Sequence, residues 1–337
     1  MVIVKTPYRI SLVGGGTDFP SWFGENGGAV VSGTISRYCY LTCRDLPPFF
    51  SYKSRFVWSR VETVDHTADI VHPSIQGCLK FLGVDSPQLQ VHHDGDLPAQ
   101  SGIGSSASFT VGLLHALRAL AGQLVSKHEL ALDAITVDQD VVGEVVGCQD
   151  QVAAAYGGLN KITFGPGKKD FIVQRLPLAE GAMTRLGSHL MLFYTGQSRE
   201  SSKVEQAKQA QDNRLVLKEQ LALVEPCVRA LGAGDMLDLA KLLTKSWVLK
   251  RSMAAGVSNA AIDDYHERAM RAGALGGKLT GAGGGGCLIL VVPPGRQAMV
   301  RHALRDLVHV PFSFESQGSQ LVYYATGDKV GHELRGV

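Results

Sequence analysis

The sequence predicts an α+β protein built of two domains. Strand-like segments rich in β-branched and aromatic residues dominate the first hundred residues, helical patterns follow, and the chain returns to strands near its end. Strands grouped before helices, without regular alternation, are typical of α+β folds. A chain of 337 residues with 45% hydrophobic residues is also long enough for two packed domains. We place the boundary in the connector around 176–188, which divides the chain into domains 1–180 and 181–337.

The elements of the first unit follow from turn residues and apolar spacing. Strands are predicted at 2–5, 9–13, 29–31, 36–44, 89–93, 159–164 and 171–174, and helices at 68–82, 105–121, 127–141 and 148–156. In the second unit, strands are predicted at 189–194, 278–279, 287–292, 311–315 and 320–324, and helices at 200–212, 215–231, 236–253, 259–272 and 296–304.

Composition excludes several classes of function. Thirty-three basic and thirty-one acidic residues leave a formal charge of +2, which gives no electrostatic reason to expect a nucleic-acid or membrane partner. The six cysteines form no CxxC pair, so we expect free thiols in a reducing cytoplasm. The opening residues lack the apolar core of a signal peptide, and no apolar run is long enough to span a bilayer.

Glycines cluster at three places, namely 14–16, 102–108 and 281–286. The middle cluster lies in a loop directly before an amphipathic helix, whose free N–H groups and dipole would form an anion site. The segment also matches the G-x-G-x-x-A dinucleotide pattern, but no second parallel strand with an acidic end follows. A Walker A loop is absent, and a plain helix cap remains the simplest alternative.

In this order and spacing, the three segments resemble the GHMP kinase superfamily. The first motif is carried by Thr6 to Asp18, the second by 98–107 and the third by 278–286. Further similarity to the D-glycero-D-manno-heptose 7-phosphate kinases within it is carried by 149–151, 195–199 and 258–263. The resemblance implies a ribosomal-S5-like N-terminal domain, a ferredoxin-like C-terminal domain, and an active site in the cleft between them. It also implies ATP and Mg²⁺ as cofactors.

The resemblance assigns the phosphate-binding loop and the catalytic pair. The ATP-binding residues would be Pro98, Gly102, Ile103, Gly104, Ser105, Ser106 and Ala107. Asp150, at the start of a predicted helix whose dipole favours its ionised form, would act on the attacking hydroxyl, either as base or by orientation. An N-capping aspartate is the structural alternative. Arg9 would keep Asp150 ionised and stabilise the transition state.

Mg²⁺ prefers oxygen ligands, and we expect Ser106 and Asp138 to supply them. Relatives usually carry glutamate at the place of Asp138, so this residue is a departure from the family pattern. Asp140 and Glu144 on the same helical stretch are competing carboxylates, and any of the three could instead be a solvated surface residue.

The acceptor pocket is expected to combine hydroxyl-binding and cationic groups. A carboxylate at Asp18 can accept hydrogen bonds from two sugar hydroxyls, although it could also cap a short helix. For a substrate phosphate, Arg199 with Lys203 is the first candidate, and Lys250 with Arg251 is the alternative. Phe56 and Trp58 could wall the adenine, but core packing is the commoner use of isolated aromatic residues. The full substrate-binding set is Gly16, Thr17, Asp18, Thr34, Arg199, Gly281 and Gly283.

The predicted function is transfer of the ATP γ-phosphoryl group to O1 of D-glycero-D-manno-heptose 7-phosphate, a sugar phosphate. The 1,7-bisphosphate product would feed nucleotide-activated heptose for surface polysaccharide. The alternatives are a kinase for a free hexose such as fucose or galactose, a diphosphomevalonate-type decarboxylase, and a non-catalytic sugar-binding regulator. Because homo-oligomers are common, a homodimer is the default expectation.

Overall fold

The computed structural model of the chain describes residues 1–167, 170–178, 181–197 and 201–325, without the side chains of residues 201 and 202. Within these ranges the chain forms two β-sheets flanked by helices. The strands are β1 (Val2–Val13), β2 (Gly28–Asp45), β3 (Ser54–Val57), β4 (Val61–Val64), β5 (Leu89–Gly95), β6 (Leu159–Phe164), β7 (Phe171–Arg175), β8 (Leu190–Tyr194), β9 (Gly276–Leu279), β10 (Cys287–Val291), β11 (Val308–His309) and β12 (Gln320–Tyr324).

The α-helices are α1 (Pro20–Asn26), α2 (Pro73–Phe81), α3 (Ser105–Leu120), α4 (Lys127–Thr136), α5 (Gln149–Tyr156), α6 (Ala182–His189), α7 (Ser201–Gln209), α8 (Arg214–Ala222), α9 (Val224–Ala233), α10 (Met236–Ser252), α11 (Ala260–Arg271) and α12 (Gln297–Ala303). Short 3₁₀ turns occur at Thr67–Asp69 and Pro294–Arg296, and a π-helical turn at Val137–Val141 follows α4.

The first sheet has eight strands and is built around β1 and β2. From one edge the order is β12-β1-β2-β5-β3-β4, while β6 pairs with β2 and β7 pairs with β6. β2 has 18 residues and pairs with two shorter strands. Its first part, 28–33, pairs with β6, and its last part, 39–45, pairs with β5. All pairs are antiparallel except β3 with β5.

Both central strands are longer than the sequence predicted. The predicted strands at 2–5 and 9–13 form one strand, and β1 runs through Pro7 with a register shift against β2 between Pro7 and Arg9. Proline has no amide N–H for a ladder bond, so the irregularity accommodates it without ending the strand. The Ser108 hydroxyl of α3 donates to the Pro7 carbonyl over 3.0 Å.

Helix α3 packs against β1 and β2 and carries the middle glycine-rich loop at its N-terminus. Its buried side chains include Phe109, Val111, Leu114 and Leu117. The helix lies close to β1 at Gly112, where an added Cβ would meet the Thr6 hydroxyl at 2.7 Å. This close packing determines where the first turn of α3 lies relative to Arg9 on β1.

The second sheet is antiparallel with the order β11-β8-β10-β9. Helices α7 to α11 connect β8 to β9, and α12 connects β10 to β11. In chain order the strands therefore lie as fourth, first, third and second, which is the ferredoxin-like arrangement. The predicted ferredoxin-like fold of the C-terminal domain is confirmed.

The last strand corrects the predicted domain limits. β12 pairs with β1 in the first sheet, with Val2 opposite Tyr324 and Lys5 opposite Gln320. The predicted domain 181–337 is therefore not one continuous unit, since residues 320–324 belong to the sheet of the N-terminal domain. This return could not be predicted, because a strand pattern does not identify its pairing partner.

The two sheets share a hydrophobic core. Val13 and Val30 from the first sheet belong to the same buried cluster as Leu192 and Ile289 from the second. One contact between the domains is polar, since the Lys278 ammonium on β9 donates to the Leu12 carbonyl at the end of β1 over 2.8 Å. The end of β1 therefore lies at the junction of the two domains.

All six cysteines are buried and none of them forms a disulfide, as the sequence predicted. None of the helices in the described ranges is long and apolar enough to cross a membrane.

A chain that ends at Gly318 tests the assignment of β12. We expect it to be less stable than a control chain that ends at Ala325, because Val2 and Val4 pair with β12 and are fully buried. Exposing each side chain costs about 1.5–3 kcal/mol. Urea unfolding followed by circular dichroism measures the difference. Equal stability of the two chains would show that β12 is not part of the first sheet's core.

Candidate active site

The three glycine-rich segments meet around one cleft of about 270 Å³ between the two domains. Gly102 and Gly281 have positive φ angles of 73° and 66° and lie against each other. An added Cβ on Gly102 would lie 2.9 Å from the Thr280 carbonyl oxygen, and one on Gly281 would overlap the backbone of Gly102. Side chains are excluded at both positions because the second and third segments touch through their backbones.

The predicted phosphate loop forms one wall of this cleft. The residues that line it are Gly102, Gly104, Ser105, Ser106 and Ala107. Gly104 is the N-cap of α3 in the left-handed conformation, so no cap side chain satisfies the amides of the first helical turn. These amides and the neighbouring hydroxyls suit an anionic ligand, which fits the phosphates of ATP.

Two predicted members of the loop do not line the cleft. The Ile103 side chain is fully buried, and its carbonyl accepts a hydrogen bond from the Arg9 amide over 2.9 Å. Pro98 is exposed, and its carbonyl accepts from the Ser101 hydroxyl over 2.7 Å. Both residues shape the loop through these backbone contacts without lining the cleft, and their part in ATP binding stays a prediction.

Arg9 and Asp150 form a bidentate ion pair at the floor of the cleft. The Arg9 Nε and Nη2 atoms donate to Asp150 Oδ1 and Oδ2 over 2.6 and 2.5 Å, and Nη1 donates to the Gly102 carbonyl over 2.9 Å. Arg9 is 4% exposed, whereas the Asp150 side chain is 25% exposed and faces the cleft. The guanidinium therefore joins the strand β1, the loop at Gly102 and the helix α5.

The structure excludes the capping alternative for Asp150. Cys148 is the N-cap of α5, and Asp150 lies in the first turn with its carboxylate on Arg9. This carboxylate also lies beside the start of α3, since an added Cβ on Gly104 would be 3.3 Å from Asp150 Oδ2. Gly104 thus allows the carboxylate to approach the phosphate loop.

Asp18 also lines the cleft and is 2% exposed. Its Oδ1 accepts from the Gly16 amide over 2.9 Å, and its Oδ2 accepts from the Gln149 amide over 3.4 Å. Burial, and secondly the negative charge of Asp150, raise the pKa of the Asp18 carboxyl to about 6. Asp18 is not a helix N-cap, because α1 begins at Pro20 with Phe19 as its cap.

Three other predicted substrate residues, Thr17, Thr34 and Gly283, lie away from the lining of the cleft. The Thr17 hydroxyl is buried and bonds with the Gly14 and Ala29 backbones. Thr34 is also buried: its hydroxyl donates to the Glu315 carbonyl over 2.8 Å and accepts from the Gly158 amide over 2.7 Å. Thr17 and Thr34 therefore do not line the cleft, and neither does Gly283, which lies against Val257. The hydroxyls of Thr17 and Thr34 are bonded within the fold, and the lining of the cleft does not support a substrate role for any of the three residues, which stays a prediction.

Gly16 and Gly281 do line the cleft, as predicted. Arg199 lies outside the described residues. Lys203 is exposed and does not line the cleft, while Arg251 is half-exposed and pairs with Asp263 over 3.0 Å.

Asp138 is suited to hold a cation. It lines the cleft from the π-helical turn and is 3% exposed, and its two oxygens accept hydrogen bonds from Thr110 (2.8 Å) and Gln151 (2.7 Å). Burial raises the pKa of this carboxyl to about 7. Because no cation pairs with it among the described side chains, and lone pairs remain on both oxygens, Mg²⁺ fits this position together with the Ser106 hydroxyl.

The competing carboxylates differ in position. Glu144 lines the cleft, and burial raises the pKa of its carboxyl, whereas Asp140 is exposed and does not line it. Within the described ranges, no group of three or more His, Cys, Asp or Glu side chains is arranged to hold a metal. This agrees with the chemistry of Mg²⁺, which commonly takes one or two carboxylates together with substrate phosphates.

The two aromatic residues considered for adenine binding, Phe56 and Trp58, are used within the fold. Phe56 is fully buried in the core, and Trp58 donates from its indole N–H to Glu62 over 2.6 Å. Neither residue lines the cleft.

The structure adds basic residues that sequence reasoning did not assign to the cleft. Lys208 on α7 lines it and pairs with Glu205 over 2.6 Å, and Lys278 on β9 lines it as well. Lys278 is the first residue of the third motif, 278–286, so the motif could have pointed to it as a cleft residue. Lys208 lies in a helix with no motif nearby, so its sequence carried no such signal. Lys250, which the sequence offered only as an alternative, also lines the cleft.

Two models of known protein families match the chain, one in each domain. Residues 70–158 match the family described as GHMP kinases N terminal domain, and residues 227–309 match GHMP kinases C terminal. A D-glycero-alpha-D-manno-heptose 7-phosphate kinase from Campylobacter jejuni is 28% identical over 93% of this chain and 96% of its own length. A galactokinase from Pyrococcus furiosus is 25% identical over 94% of this chain and 96% of its own.

Solved structures agree on the fold. A D-glycero-D-manno-heptose 1-phosphate kinase from Bacteriodes thetaiotaomicron superimposes with a TM-score of 0.79 at 23% identity, covering 97% of this chain and all of that one. The chain with its two matched domains and its glycine-lined cleft belongs to the GHMP kinase family. It is an ATP-dependent phosphotransferase that uses an alcohol group as acceptor.

The raised pKa of Asp18 predicts a pH-dependent stability. The unfolded chain ionises Asp18 near pH 4, but the folded protein does so near pH 6, so the folded state binds the extra proton between these values. The unfolding free energy should therefore fall as the pH rises through this window, by up to about 3 kcal/mol at 1.36 kcal/mol per pKa unit. Asp18→Asn removes this contribution.

Urea unfolding of both proteins from pH 4 to pH 7 checks this prediction. Groups that titrate equally in both proteins cancel in the difference, and wild type should lose stability relative to Asp18→Asn as the pH rises. Parallel curves for the two proteins would contradict the raised pKa.

Proposed function

We propose that the protein transfers the γ-phosphoryl group of ATP to O1 of D-glycero-D-manno-heptose 7-phosphate and releases heptose 1,7-bisphosphate. The observation that carries this proposal is the Asp150 carboxylate, held by Arg9 and placed beside Gly104 at the start of α3. The 28% identical heptose 7-phosphate kinase, which aligns over nearly the whole of both chains, supports the substrate.

The roles follow from position and charge. The amides and hydroxyls of residues 104–107 would bind the phosphates, and Ser106 with Asp138 would hold Mg²⁺. ATP, when bound, supplies the phosphoryl group, and Mg²⁺ neutralises its phosphate oxygens. Asp150 would accept a hydrogen bond from the attacking hydroxyl, and Asp18 would bind neighbouring sugar hydroxyls.

Arg9 has two functions in this arrangement. Its bidentate pair with Asp150 fixes the orientation of the carboxylate. Its third donor, on the Gly102 carbonyl, keeps the positive charge close to the phosphate loop, where negative charge develops during transfer.

The product would serve as a precursor of nucleotide-activated heptose for surface polysaccharide. The six buried cysteines, none of which forms a disulfide, are in keeping with a reducing, cytoplasmic location. The homodimer remains a prediction.

A free hexose is the second candidate acceptor, favoured by the galactokinase that is 25% identical over 94% of this chain. A coupled assay of ADP release across heptose 7-phosphate, heptose, galactose, fucose and mevalonate diphosphate separates the candidates. We expect kcat/KM for heptose 7-phosphate to exceed that for each free sugar by at least about 100-fold, or about 2.7 kcal/mol. Equal or greater turnover of galactose or fucose would favour a hexose kinase, and CO₂ release would indicate a decarboxylase.

Asp150→Asn tests the mechanism. We expect kcat to fall by about 10²–10⁴-fold, the usual contribution of a positioned general base, with little change in the KM for ATP. The matched control is Asp133→Asn, because Asp133 pairs with Arg118 over the same 2.5 Å but lies outside the cleft. This control should retain kcat within about twofold. Full activity in Asp150→Asn would exclude a catalytic role for this carboxylate and would leave positioning by other groups as the source of the rate.

A further inference from the structure

Two buried lysines in the cleft have no acidic partner. Lys250 on α10 and Lys278 on β9 are 7% and 3% exposed, and both line the cleft. Lys250 donates to the carbonyls of Leu279 (3.1 Å) and Gly281, and Lys278 donates to Leu12. Across the described part of the chain, no carboxylate forms an ion pair with either ammonium.

In their protonated form, neither of the two lysines has a charged partner among the described residues. An ammonium has three N–H donors, so carbonyl contacts leave donors unused on both lysines. The nearest acidic group that acts on Lys250 is Glu205, which already pairs with Lys208 over 2.6 Å. Buried charges in proteins are normally paired, and here the missing partner is an anion from outside the chain.

The protonation of the two lysines leads to the same conclusion. Burial, and then the positive charge of Arg9, lower the pKa of the Lys278 ammonium to about 7. Burial and the charge of Lys278 lower the pKa of Lys250 well below its usual range. A bound anion would reverse both effects, because opposite charge favours the protonated form.

The position of the two lysines indicates which anion they would bind: the phosphates of ATP or a phosphate group on the acceptor. The phosphates of ATP have their own donors in the uncapped first turn of α3, whereas the described contact of Lys278 is with Leu12 on β1. Lys278 contacts Leu12, directly before the first glycine segment and Asp18, where the acceptor would bind. An anion bound beside Lys278 would therefore be a group carried by the acceptor.

We propose that Lys250 and Lys278 form a subsite for the phosphate group that the acceptor already carries. This proposal rests on the proposed function and extends it, since it explains why a sugar phosphate is chosen over a free sugar. Two ammonium groups with unused donors suit a phosphate dianion, whereas a free sugar would leave their charges unpaired. We call these two residues the lysine subsite.

Lys250→Met and Lys278→Met test the lysine subsite, because methionine keeps most of the aliphatic stem and removes the charge. The measured quantity is the ratio of kcat/KM for heptose 7-phosphate to that for unphosphorylated heptose. We expect each variant to lower this ratio roughly 10- to 100-fold, as for a lost charge-assisted hydrogen bond. The control is Lys245→Met, since Lys245 lies on the same helix but is 57% exposed and pairs with Glu219; it should leave the ratio unchanged.

A binding measurement identifies the source of the phosphate and does not require an active variant. With Mg²⁺ and saturating ADP present, inorganic phosphate should raise the melting temperature of the wild-type protein further, and the increase should be smaller in both methionine variants. If wild type shows no such increase, or if the variants change the KM for ATP and leave the acceptor ratio intact, the lysine subsite is excluded.

The outcomes also separate this proposal from the proposed function. If heptose 7-phosphate is not turned over but another sugar phosphate is preferred over its free sugar, and the preference depends on Lys250 and Lys278, the heptose assignment fails and the lysine subsite stands. If wild type prefers free sugars throughout, the subsite proposal fails together with the choice of a phosphorylated acceptor.

Discussion

The ion pair between Arg9 and Asp150 is the interaction on which the rest of the site depends. It joins a residue of the central strand β1 to the first turn of α5, and a third bond from the same guanidinium reaches the loop before α3. Three elements distant in sequence are therefore held by one planar group with fixed donor geometry. Gly104 leaves room for this pair, since an added Cβ there would lie 3.2 Å from Arg9 Cγ and 3.3 Å from Asp150 Oδ2.

The cleft concentrates charges that the fold does not neutralise by itself. Burial raises the pKa values of the Asp18 and Asp138 carboxyls, while burial lowers the pKa values of Lys250 and Lys278. Each shift reflects the cost of keeping a charge away from water without a close partner of opposite sign. In the proposed function, ligands would supply the missing partners: a cation and sugar hydroxyls for the acids, and an anion for the lysines.

The fold class, the order of most helices and strands, and the closeness of Arg9 to Asp150 were predictable from the sequence. The three glycine segments indicated phosphate binding because backbone close to a ligand excludes side chains, and their contact at Gly102 and Gly281 has this physical basis. Thr17, Thr34 and Gly283 lie in or beside these motifs but do not line the cleft. A motif locates a segment, but it does not tell which side chains the fold turns inward to satisfy its own backbone groups.

What the sequence by itself determined was local: periodicity for the helices and strands, and glycine spacing for the loops. Only the tertiary structure decided that β12 returns to the edge of β1, and that Lys208, Lys250 and Lys278 share one cleft with Arg9. These facts depend on contacts between residues far apart in the chain, for which strand pairing and core packing carry no local sequence signal. Burial is likewise decided only by the tertiary structure. The sequence shows a lysine, but only the packed domains show that it lies away from water and lacks an acidic partner.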